Sequence, residues 1–417
     1  MNATAAPLGA FAGYGIELEY MIVASDTLAV LPIADALFRK VTGSNSADVV
    51  RGRFAWSNEL VLHLVELKNA RPEARLDTLA AGFQAEVAHI NALLAPLGAQ
   101  LMPGAMHPWM APESETRLWP FEGHAIYGAY DRVFGCRAHG WANIQSMHVN
   151  LPFADDEEFA RLHAAVRLLL PILPALAASS PVAGGLPREA LDFRLACYRH
   201  HTDRVPALMG RLIPENAVSR AAYEATVLAP MYREIAPLDP GGTLRHEWLN
   251  TRGAIARFDR NALEIRVLDL QEYPQADLAI AALVCAVTRA LYEGRWSSLE
   301  AQRERDTAGL EALLLDCIRD ADRAVIGDAT YLSLMGFPGT RCEARELWRH
   351  LRDACAADPV LSGPHQVPLD IILEHGVLAR RIREALGQEV ERARLHAVYQ
   401  ALCDCLAAGR PFTGAGA

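Results

Sequence analysis

The sequence lacks the motifs of several large enzyme classes. It has no GxxxxGKS or GxxxxGKT phosphate loop, no GxGxxG after a first strand and no GxSxG elbow for a nucleophilic serine. The segment HEWLN at His246 is not an HExxH zinc motif, because Asn250 stands where the second histidine is required. These absences argue against P-loop enzymes, dinucleotide-binding oxidoreductases, serine hydrolases and zinc metalloproteases.

Cysteine is scarce and unpatterned. The eight cysteines of this 417-residue chain form no CxxC pair, and the closest two, Cys403 and Cys405, would point to different sides of a helix. We expect each cysteine to be a buried apolar side chain in a protein of a reducing compartment, and therefore a cytoplasmic location.

Basic runs and membrane-spanning segments are also missing. The formal net charge is -10, so nucleic acid and anionic membranes are not expected partners. The longest apolar runs, such as residues 160–178, contain arginine, histidine and proline and predict no membrane span. Residues 1–13 lack the basic region of a signal peptide, so we expect a flexible arm at residues 1–12.

What the chain does contain is apolar material for a large core, since 51% of its residues are hydrophobic. Strand patterns occur at residues 15–24, 59–69, 143–151 and 263–270, with helical patterns at 72–97, 155–178, 215–235 and 275–292. Further helical patterns follow at 298–326, 341–356, 369–386 and 389–408. This order predicts an α+β fold with one mainly antiparallel sheet, a helical C-terminal region at 296–410 and a disordered tail at 411–417.

Carboxylates occur inside the first two strand patterns. Glu17 and Glu19 alternate with apolar residues in GIELEY and therefore share one face of a strand. They would repel each other unless a cation or a proton intervenes, or unless they form a solvent-facing edge. Glu66 follows the apolar run LVLHLV, where a buried carboxylate needs a metal ion or a salt bridge to Lys68 or Arg71.

Four more candidates depend on the same reasoning. Glu59 lies an odd number of residues before Glu66, so a bulge or a turn is needed to bring the two carboxylates together. His148 faces inward from NIQSMHVNL, either as a metal ligand or as a core histidine. Glu264 and Arg266 share a face of LEIRVLDL, either as an internal ion pair or as a metal ligand beside a phosphate-binding arginine.

These residues form a coherent set. Four predicted strands each carry an oxygen or imidazole ligand on a face that packs inward. Oxygen-rich sites with one imidazole suit Mg²⁺ or Mn²⁺ better than Zn²⁺. Several such ions in one cavity indicate phosphoryl chemistry on a nucleotide, so we expect ATP and Mg²⁺, with Mn²⁺ as the alternative ion.

Four segments together resemble the glutamate–cysteine ligase superfamily. GIELEY is similar to its opening Glu-x-Glu strand, ELVLHLVELKN to its second acidic motif, MHVNLPF to its histidine strand and LEIRVLDL to its closing Glu-x-Arg strand. The resemblance spans residues 13–295, which we interpret as the catalytic domain, and is nearest to the second family of bacterial carboxylate–amine ligases and plant-type glutamate–cysteine ligases. SSPVAGG and ACYRHH resemble its NSPFWxG and SYR segments less strictly.

The resemblance implies a curved antiparallel sheet, a half-barrel related to glutamine synthetase, covered by helices. It also implies a reaction in which ATP phosphorylates the γ-carboxylate of glutamate and an amine attacks the acyl phosphate. The default product that the resemblance implies is γ-glutamylcysteine, for glutathione biosynthesis. The expected partners are therefore small-molecule substrates, and a homo-oligomer is possible for such an enzyme.

The resemblance also implies roles for individual residues. Arg266 would contact the ATP phosphates and, with Glu66, carry catalysis, while Arg252 and Arg257 would bind anions. Arg199 and Tyr198 in ACYR would hold the glutamate carboxylate. The implied metal ligands are Glu17, Glu19, Glu59, Glu66, His148 and Glu264.

Two alternatives stay open at this point. QSMHVN lacks the glycine that usually precedes the histidine, SSPVAGG lacks the aromatic residue of NSPFW, and ACYR has no serine. These departures lie near expected substrate contacts, so a ligase that uses another amino acid or amine is one alternative. A non-catalytic, nucleotide-binding regulatory protein is the other, although the intact acidic set argues against it.

Overall fold

The computed structural model describes residues 6–388 and 390–414. At its centre lies an open eight-stranded sheet in which every neighbouring pair of strands is antiparallel. In chain order, the described strands are β1 (Gly15–Ala24), β2 (Asp48–Arg51), β3 (Phe54–Asn58), β4 (Leu64–Asn69), β5 (Ala99–Met102), β6 (Ser146–Pro152), β7 (Val182–Ala183), β8 (Leu186–Pro187), β9 (Ala254–Arg257), β10 (Ala262–Asp269), β11 (Val325–Ile326) and β12 (Cys342–Glu343). The predicted α+β fold class with one mainly antiparallel sheet is confirmed.

Helices surround the sheet and make up the C-terminal region. The described α-helices are α1 (Ala34–Thr42), α2 (Ala80–Leu94), α3 (Pro112–Glu115), α4 (His124–Phe134), α5 (His139–Ala142), α6 (Asp156–Leu169), α7 (Pro174–Ala177), α8 (Phe193–Tyr198), α9 (Arg220–Tyr223), α10 (Ala229–Ile235), α11 (Pro274–Tyr292), α12 (Leu299–Glu304), α13 (Thr307–Asp320), α14 (Ala329–Leu334), α15 (Ala344–Ala354), α16 (Gln366–His375), α17 (Leu378–Leu386) and α18 (Arg392–Ala408). A π-helical turn at Glu224–Leu228 joins α9 to α10.

The strand order β2–β3–β4–β1–β6–β10–β9 places β1 in the middle of the sheet, and β5 pairs with its far end. Alternate residues of β1 therefore face opposite sides. Ile16, Leu18 and Tyr20 are fully buried in the main hydrophobic core. The helices α2, α6 and α11 pack on this core side, which leaves the other face of the sheet for the carboxylates.

Helix α11 is long and apolar enough to cross a membrane by length and composition. In this fold, however, 83% of its most apolar stretch is buried inside the protein, where it packs against α2 and α6. A central core helix has the same composition, because its whole circumference is in contact with other apolar side chains.

Several predicted elements have different boundaries. The predicted strand at residues 59–69 is shorter, because β3 ends at Asn58 and a turn occupies the next residues before β4. The predicted helix at 72–97 begins only at Ala80. Glu73 exchanges two backbone hydrogen bonds with Tyr14, which holds the chain extended there. The short strands β2, β3, β5 and β9 were not predicted.

Two predicted helices start or divide elsewhere as well. The helix predicted at 215–235 begins at Arg220, because the Ser219 side chain caps it by accepting a hydrogen bond from the Ala222 amide. The helix predicted at 369–386 is two helices, α16 and α17, which are separated at Gly376. That glycine has a φ of 90°, which a helix does not allow.

The predicted arm and tail are partly described. Residues 1–5 and 415–417 lie outside the described part of the chain. Within the arm, Phe11 contacts Tyr292 edge to face at 5.4 Å. Within the tail, Phe412 is buried, so residues 411–414 pack against the rest of the protein. The helical C-terminal region contributes Trp348 and Leu373 to the same core that contains Ile16.

A buried ion pair anchors the C-terminal segment. Arg381 donates a hydrogen bond of 2.7 Å to Glu272, which lies between β10 and α11, and a second one to the carbonyl of Phe412. The amide of Phe412 donates to the same carboxylate at 3.2 Å. Both charged side chains are almost fully buried, so each compensates the charge of the other.

We expect Arg381→Met to lower the free energy of unfolding by about 3–5 kcal/mol, because Glu272 would remain buried without a cation. Urea denaturation monitored by circular dichroism measures this change. The control is Arg383→Met on the same helix, since Arg383 is partly exposed and donates to the Arg188 carbonyl. Equal midpoints for the two variants would contradict this role of the ion pair.

Candidate active site

The strand register brings the predicted ligands of three strands side by side. Glu17 of β1 lies opposite Lys68 of β4 on one side and opposite His148 of β6 on the other. Glu19 lies opposite Glu66 of β4. Since directly opposed residues of antiparallel strands project from the same face, these side chains converge on the face away from the helices.

His148 is at the centre of this cluster. Its Nδ1 lies 2.9 Å from Glu17 Oε2 and 4.0 Å from Glu264 Oε1. Its Nε2 lies 3.0 Å from Ser146 Oγ and 3.7 Å from Glu19 Oε1. The imidazole therefore contacts or approaches three carboxylates, from β1 and β10, instead of filling the hydrophobic core.

Glu66 joins two ligand groups. Its Oε1 accepts hydrogen bonds from Ser57 Oγ at 2.7 Å and from Lys68 Nζ at 2.8 Å. The Glu66–Lys68 ion pair considered from the sequence is therefore present. Glu66 nevertheless also belongs to two sets of possible metal ligands, whose donor atoms lie within 4.8 Å of one another. The sets are Glu17, Glu66 and His148, and Glu19, Glu59 and Glu66.

Glu59 reaches the cluster through a turn. It follows the last residue of β3, and the connection between β3 and β4 places its carboxylate beside Glu19 and Glu66. This connection is the turn that the odd spacing between Glu59 and Glu66 predicted. The alternation of a single regular strand would have sent Glu59 to the opposite face.

β10 contributes an acid and an arginine. The Nη2 and Nε of Arg266 donate to Glu264 Oε1 at 2.8 and 3.1 Å, and its Nη1 donates to the Asn250 carbonyl at 3.2 Å. Arg257 Nη1 of the neighbouring strand lies 3.6 Å from Glu264 Oε2. Glu264 and Arg266 form the internal ion pair considered from the sequence. Glu264 also approaches His148, so the interpretation of Glu264 as a metal ligand is compatible with this ion pair.

The cluster has more negative charge than its surroundings compensate. Burial raises the pKa of Glu59 well above its usual value, and the nearby Glu19 and Glu66 raise it further. Burial also raises the pKa of Glu19. By contrast, burial opposes ionisation of Glu17, but its hydrogen bond with His148 keeps its pKa below the usual value. A divalent cation among these oxygens would relieve the repulsion, and the donor set suits Mg²⁺ or Mn²⁺.

Part of this cluster lines a cavity of about 220 Å³. Its polar side contains Glu19, Glu59 and His148, together with Arg194 and Arg266. The other side is largely aromatic, and its rings are those of Tyr127, Tyr130, Trp141, Tyr198 and Trp248. The cavity thus combines a charged floor on the sheet with an aromatic wall from α4, α5, the end of α8 and the segment before β9.

Two arginines predicted to bind anions lie elsewhere. Arg252 is buried, and its guanidinium is occupied by Glu215 and by the carbonyls of Ala207 and Leu208. Arg199 lines a different, small surface pocket. Neither residue is among those that line the cavity. Tyr198 does line it, and Arg257 stands beside Glu264.

Arg194 is the cavity arginine that the sequence interpretation missed. It is 1% exposed and donates through Nε to Asp269, while its Nη2 has no hydrogen-bond partner among the described residues. Asp269 also accepts from the Ser179 amide and the Ser180 hydroxyl. In a regular strand Asp269 would face away from Glu264, because the two are five residues apart. The irregularity of β10 between Ile265 and Leu268 shifts the register, so that Glu264 lies opposite Asn150 and Asp269 lies opposite Ser146. No local sequence pattern reveals that Asp269 holds Arg194.

A family model described as glutamate-cysteine ligase family 2 matches residues 14–401. The chain belongs to glutamate-cysteine ligase family 2. The predicted resemblance is confirmed, and family membership supports a carboxylate–amine ligase as the broad class of activity. The family 2 match includes both the sheet and most of the helical C-terminal region.

Individual relatives agree with family 2 membership. An uncharacterized protein of Archaeoglobus fulgidus is 36% identical over 279 residues, which cover 67% of this chain and 74% of that protein. A Bradyrhizobium diazoefficiens protein provisionally named glutamate–cysteine ligase 2 is 26% identical over 283 residues. That match covers 67% of this chain and 59% of the relative's length.

Solved structures share the fold of this family 2 protein. The glutamate–cysteine ligase of Francisella tularensis, in complex with AMP, matches with a TM-score of 0.57 and 14% identity, over 95% of this chain and 89% of that one. The bifunctional glutathione synthetase of Pasteurella multocida matches with the same TM-score and identity, over 94% of this chain and 52% of that one. At these identities the likeness concerns the fold alone.

His148 of this family 2 protein should titrate far above an ordinary histidine. Burial alone would lower its pKa, but the hydrogen bond to Glu17 and the charge of Glu19 raise it to about 9. In the metal-free protein we therefore expect an imidazolium at neutral pH, which loses its proton as the pH rises through about 9. Ring resonances in NMR spectra, assigned by their loss in His148→Gln, measure this titration.

The matched variant is Glu17→Gln, which keeps the shape of the side chain but removes the negative charge. It should move the His148 titration down toward the ordinary histidine value. If His148 titrates near that ordinary value in the unsubstituted protein, the arrangement of charges described above is wrong.

Proposed function

We propose that this protein is an ATP-dependent ligase that joins the γ-carboxylate of glutamate to an amine through a γ-glutamyl phosphate. The observation that carries the proposal is the convergence of five glutamates, His148 and Arg266 on one face of the sheet in a family 2 fold. Of these residues, Glu19, Glu59, His148 and Arg266 line the adjoining cavity. Small-molecule substrates fit a cavity of about 220 Å³ better than a macromolecular partner.

Mg²⁺, or Mn²⁺ in its place, is the metal that these donors suit. Carboxylate oxygens with one imidazole are the ligands expected for such an ion, and the raised pKa of the Glu59 and Glu19 carboxyl groups reflects a site in need of positive charge. The bound ions would neutralise negative charge on the ATP phosphates. The residues that would hold them are Glu17, Glu19, Glu59, Glu66, His148 and Glu264.

Arg266 acts on the phosphoryl group. Its pKa is raised, since the charge of Glu264 outweighs the effect of burial, so it carries its positive charge at any physiological pH. The guanidinium donates hydrogen bonds to Glu264 through Nη2 and to the Asn250 carbonyl through Nη1, so its orientation is fixed before ATP binds. A preorganised cation of this kind stabilises charge on a transferring phosphoryl group without a reorganisation cost.

Arg194 replaces Arg199 as the proposed partner of a glutamate carboxylate. Asp269 accepts a hydrogen bond from its Nε, and its buried Nη2 has no partner within residues 6–388 and 390–414, which is costly unless a substrate oxygen accepts from it. An arginine fork suits a carboxylate because it donates two parallel hydrogen bonds. Tyr198 stands beside Arg266 and contributes a hydroxyl to the same part of the cavity.

The second half-reaction joins the amine to the activated glutamate. The aromatic wall shields the acyl phosphate from bulk water, which would otherwise hydrolyse it. Cysteine is the default acceptor for the family, and with it the product is γ-glutamylcysteine for glutathione biosynthesis in the cytoplasm. No enzyme nucleophile is required, which agrees with the absence of serine and cysteine nucleophile motifs from the sequence.

The direct test is ADP release with Mg²⁺-ATP and L-glutamate, screened across amino acids and amines, with product mass as the second readout. Glu264→Gln should lower the rate by at least about 100-fold, because it loosens Arg266 and removes a metal ligand. The control is Glu304→Gln, the same change at an exposed position on α12, which should leave the rate unchanged.

Glutamate dependence decides the outcome. ADP release that requires both glutamate and an amine, and that Glu264→Gln abolishes, supports the ligase. ATP binding without glutamate-dependent ADP release, across the whole panel, would contradict it and favour a nucleotide-binding regulatory protein on the same fold.

A further inference from the structure

The aromatic wall of the cavity consists of Tyr127, Tyr130, Trp141, Tyr198 and Trp248. Its rings contact one another, with the Tyr130 centroid 5.2 Å from Trp141 and 5.9 Å from Trp248. Tyr127, Trp141 and Trp248 each keep part of their surface exposed. An extended aromatic surface of this kind favours an apolar or aromatic body on the substrate that lies against it.

Positive charge in the cavity is limited. Among the described lining residues, the permanently charged cations are Arg194 and Arg266. In the proposed reaction, Arg266 binds the phosphoryl group and Arg194 binds the α-carboxylate of glutamate. His148 is already hydrogen-bonded to Glu17, so its charge is paired within the acidic cluster. On the aromatic side, burial lowers the pKa of His201 to about 4, so this ring is neutral near pH 7.

An amino-acid acceptor such as cysteine would bring a carboxylate into this space. That group would meet tyrosine and tryptophan rings on one side and, on the other, Glu19 and Glu59, whose bound cations would already be paired with the ATP phosphates in the proposed reaction. A desolvated anion without a cationic partner, beside other anions, is strongly disfavoured. An amine without a carboxylate avoids this cost and still presents the attacking nitrogen.

We propose that the acceptor is a primary amine that has no carboxylate and carries an apolar or aromatic body, in the class of arylalkylamines. This inference rests on the proposed ligase function, and for the same site it replaces cysteine, the default acceptor of the family, with another substrate class. In the step itself, the neutral amine nitrogen attacks the γ-carbonyl carbon of γ-glutamyl phosphate. A C–N bond forms, the C–O bond to phosphate breaks, inorganic phosphate leaves with the electron pair, and the nitrogen loses one proton to solvent.

The test uses two pairs of acceptors that differ only in the carboxylate, namely phenethylamine against phenylalanine and cysteamine against cysteine. The unsubstituted enzyme is assayed with Mg²⁺-ATP and L-glutamate for ADP release, and the amide product is identified by mass. We expect kcat/KM to be higher for each amine than for its amino acid by at least about 30-fold. We also expect phenethylamine to exceed cysteamine, because only the former covers the aromatic wall.

A variant of the wall adds a second readout. Trp248→Ala should raise the ratio of KM for phenethylamine to KM for cysteamine by about tenfold, because only phenethylamine covers the ring that is removed. An unchanged ratio in this variant would overturn the assignment of the wall to the acceptor.

The acceptor assays distinguish a wrong acceptor class from a wrong ligase function. If cysteine or phenylalanine is used as well as its decarboxylated partner, the acceptor class is wrong while the ligase function stands. If no acceptor of either kind supports glutamate-dependent ADP release, the ligase function itself fails.

Discussion

The register of β1 against β4 and β6 determines where the charged groups of the cavity lie. Because side chains alternate along a strand, burial of Ile16 and Leu18 against the core helices forces Glu17 and Glu19 onto the opposite face. A slip of one residue would exchange the two sets and bury both carboxylates among apolar side chains. The hydrophobic core therefore fixes the position of the acidic cluster, although it makes no contact with substrate.

The same dependence extends to the arginines. Arg266 is held by Glu264 on its own strand, and Arg194 is held by Asp269 at the irregular end of that strand. Each arginine is thus oriented by a carboxylate that is itself nearly fully buried. Such pairs add little net stability, because desolvation offsets their attraction, but they set direction accurately. This suits the proposed reaction, in which ATP and a carboxylate substrate are positioned with respect to one another.

Much of this arrangement could be predicted from the sequence, because alternation in a strand is a local property. Strand alternation alone predicted that Glu17 and Glu19 share one face of their strand, and that Glu264 and Arg266 share one face of theirs. The failures came from non-local contacts and from short elements. Contact with Tyr14 holds Glu73 extended, where the sequence pattern predicted the start of a helix. Arg194 and Arg199 lie five residues apart at a short helix, about 140° around its axis, so only one can face the cavity. The resemblance favoured ACYR, and no local pattern distinguished the two arginines.

In the proposed reaction, the acidic face of the sheet holds divalent cations for ATP. Anomalous scattering at the manganese absorption edge, from crystals grown with Mn²⁺ and a non-hydrolysable ATP analogue, tests whether it does. We expect peaks within coordination distance of Glu66 and His148, with the analogue's phosphates beside Arg266. Phosphates bound elsewhere, or manganese absent from this cluster while the analogue is bound, would contradict this role.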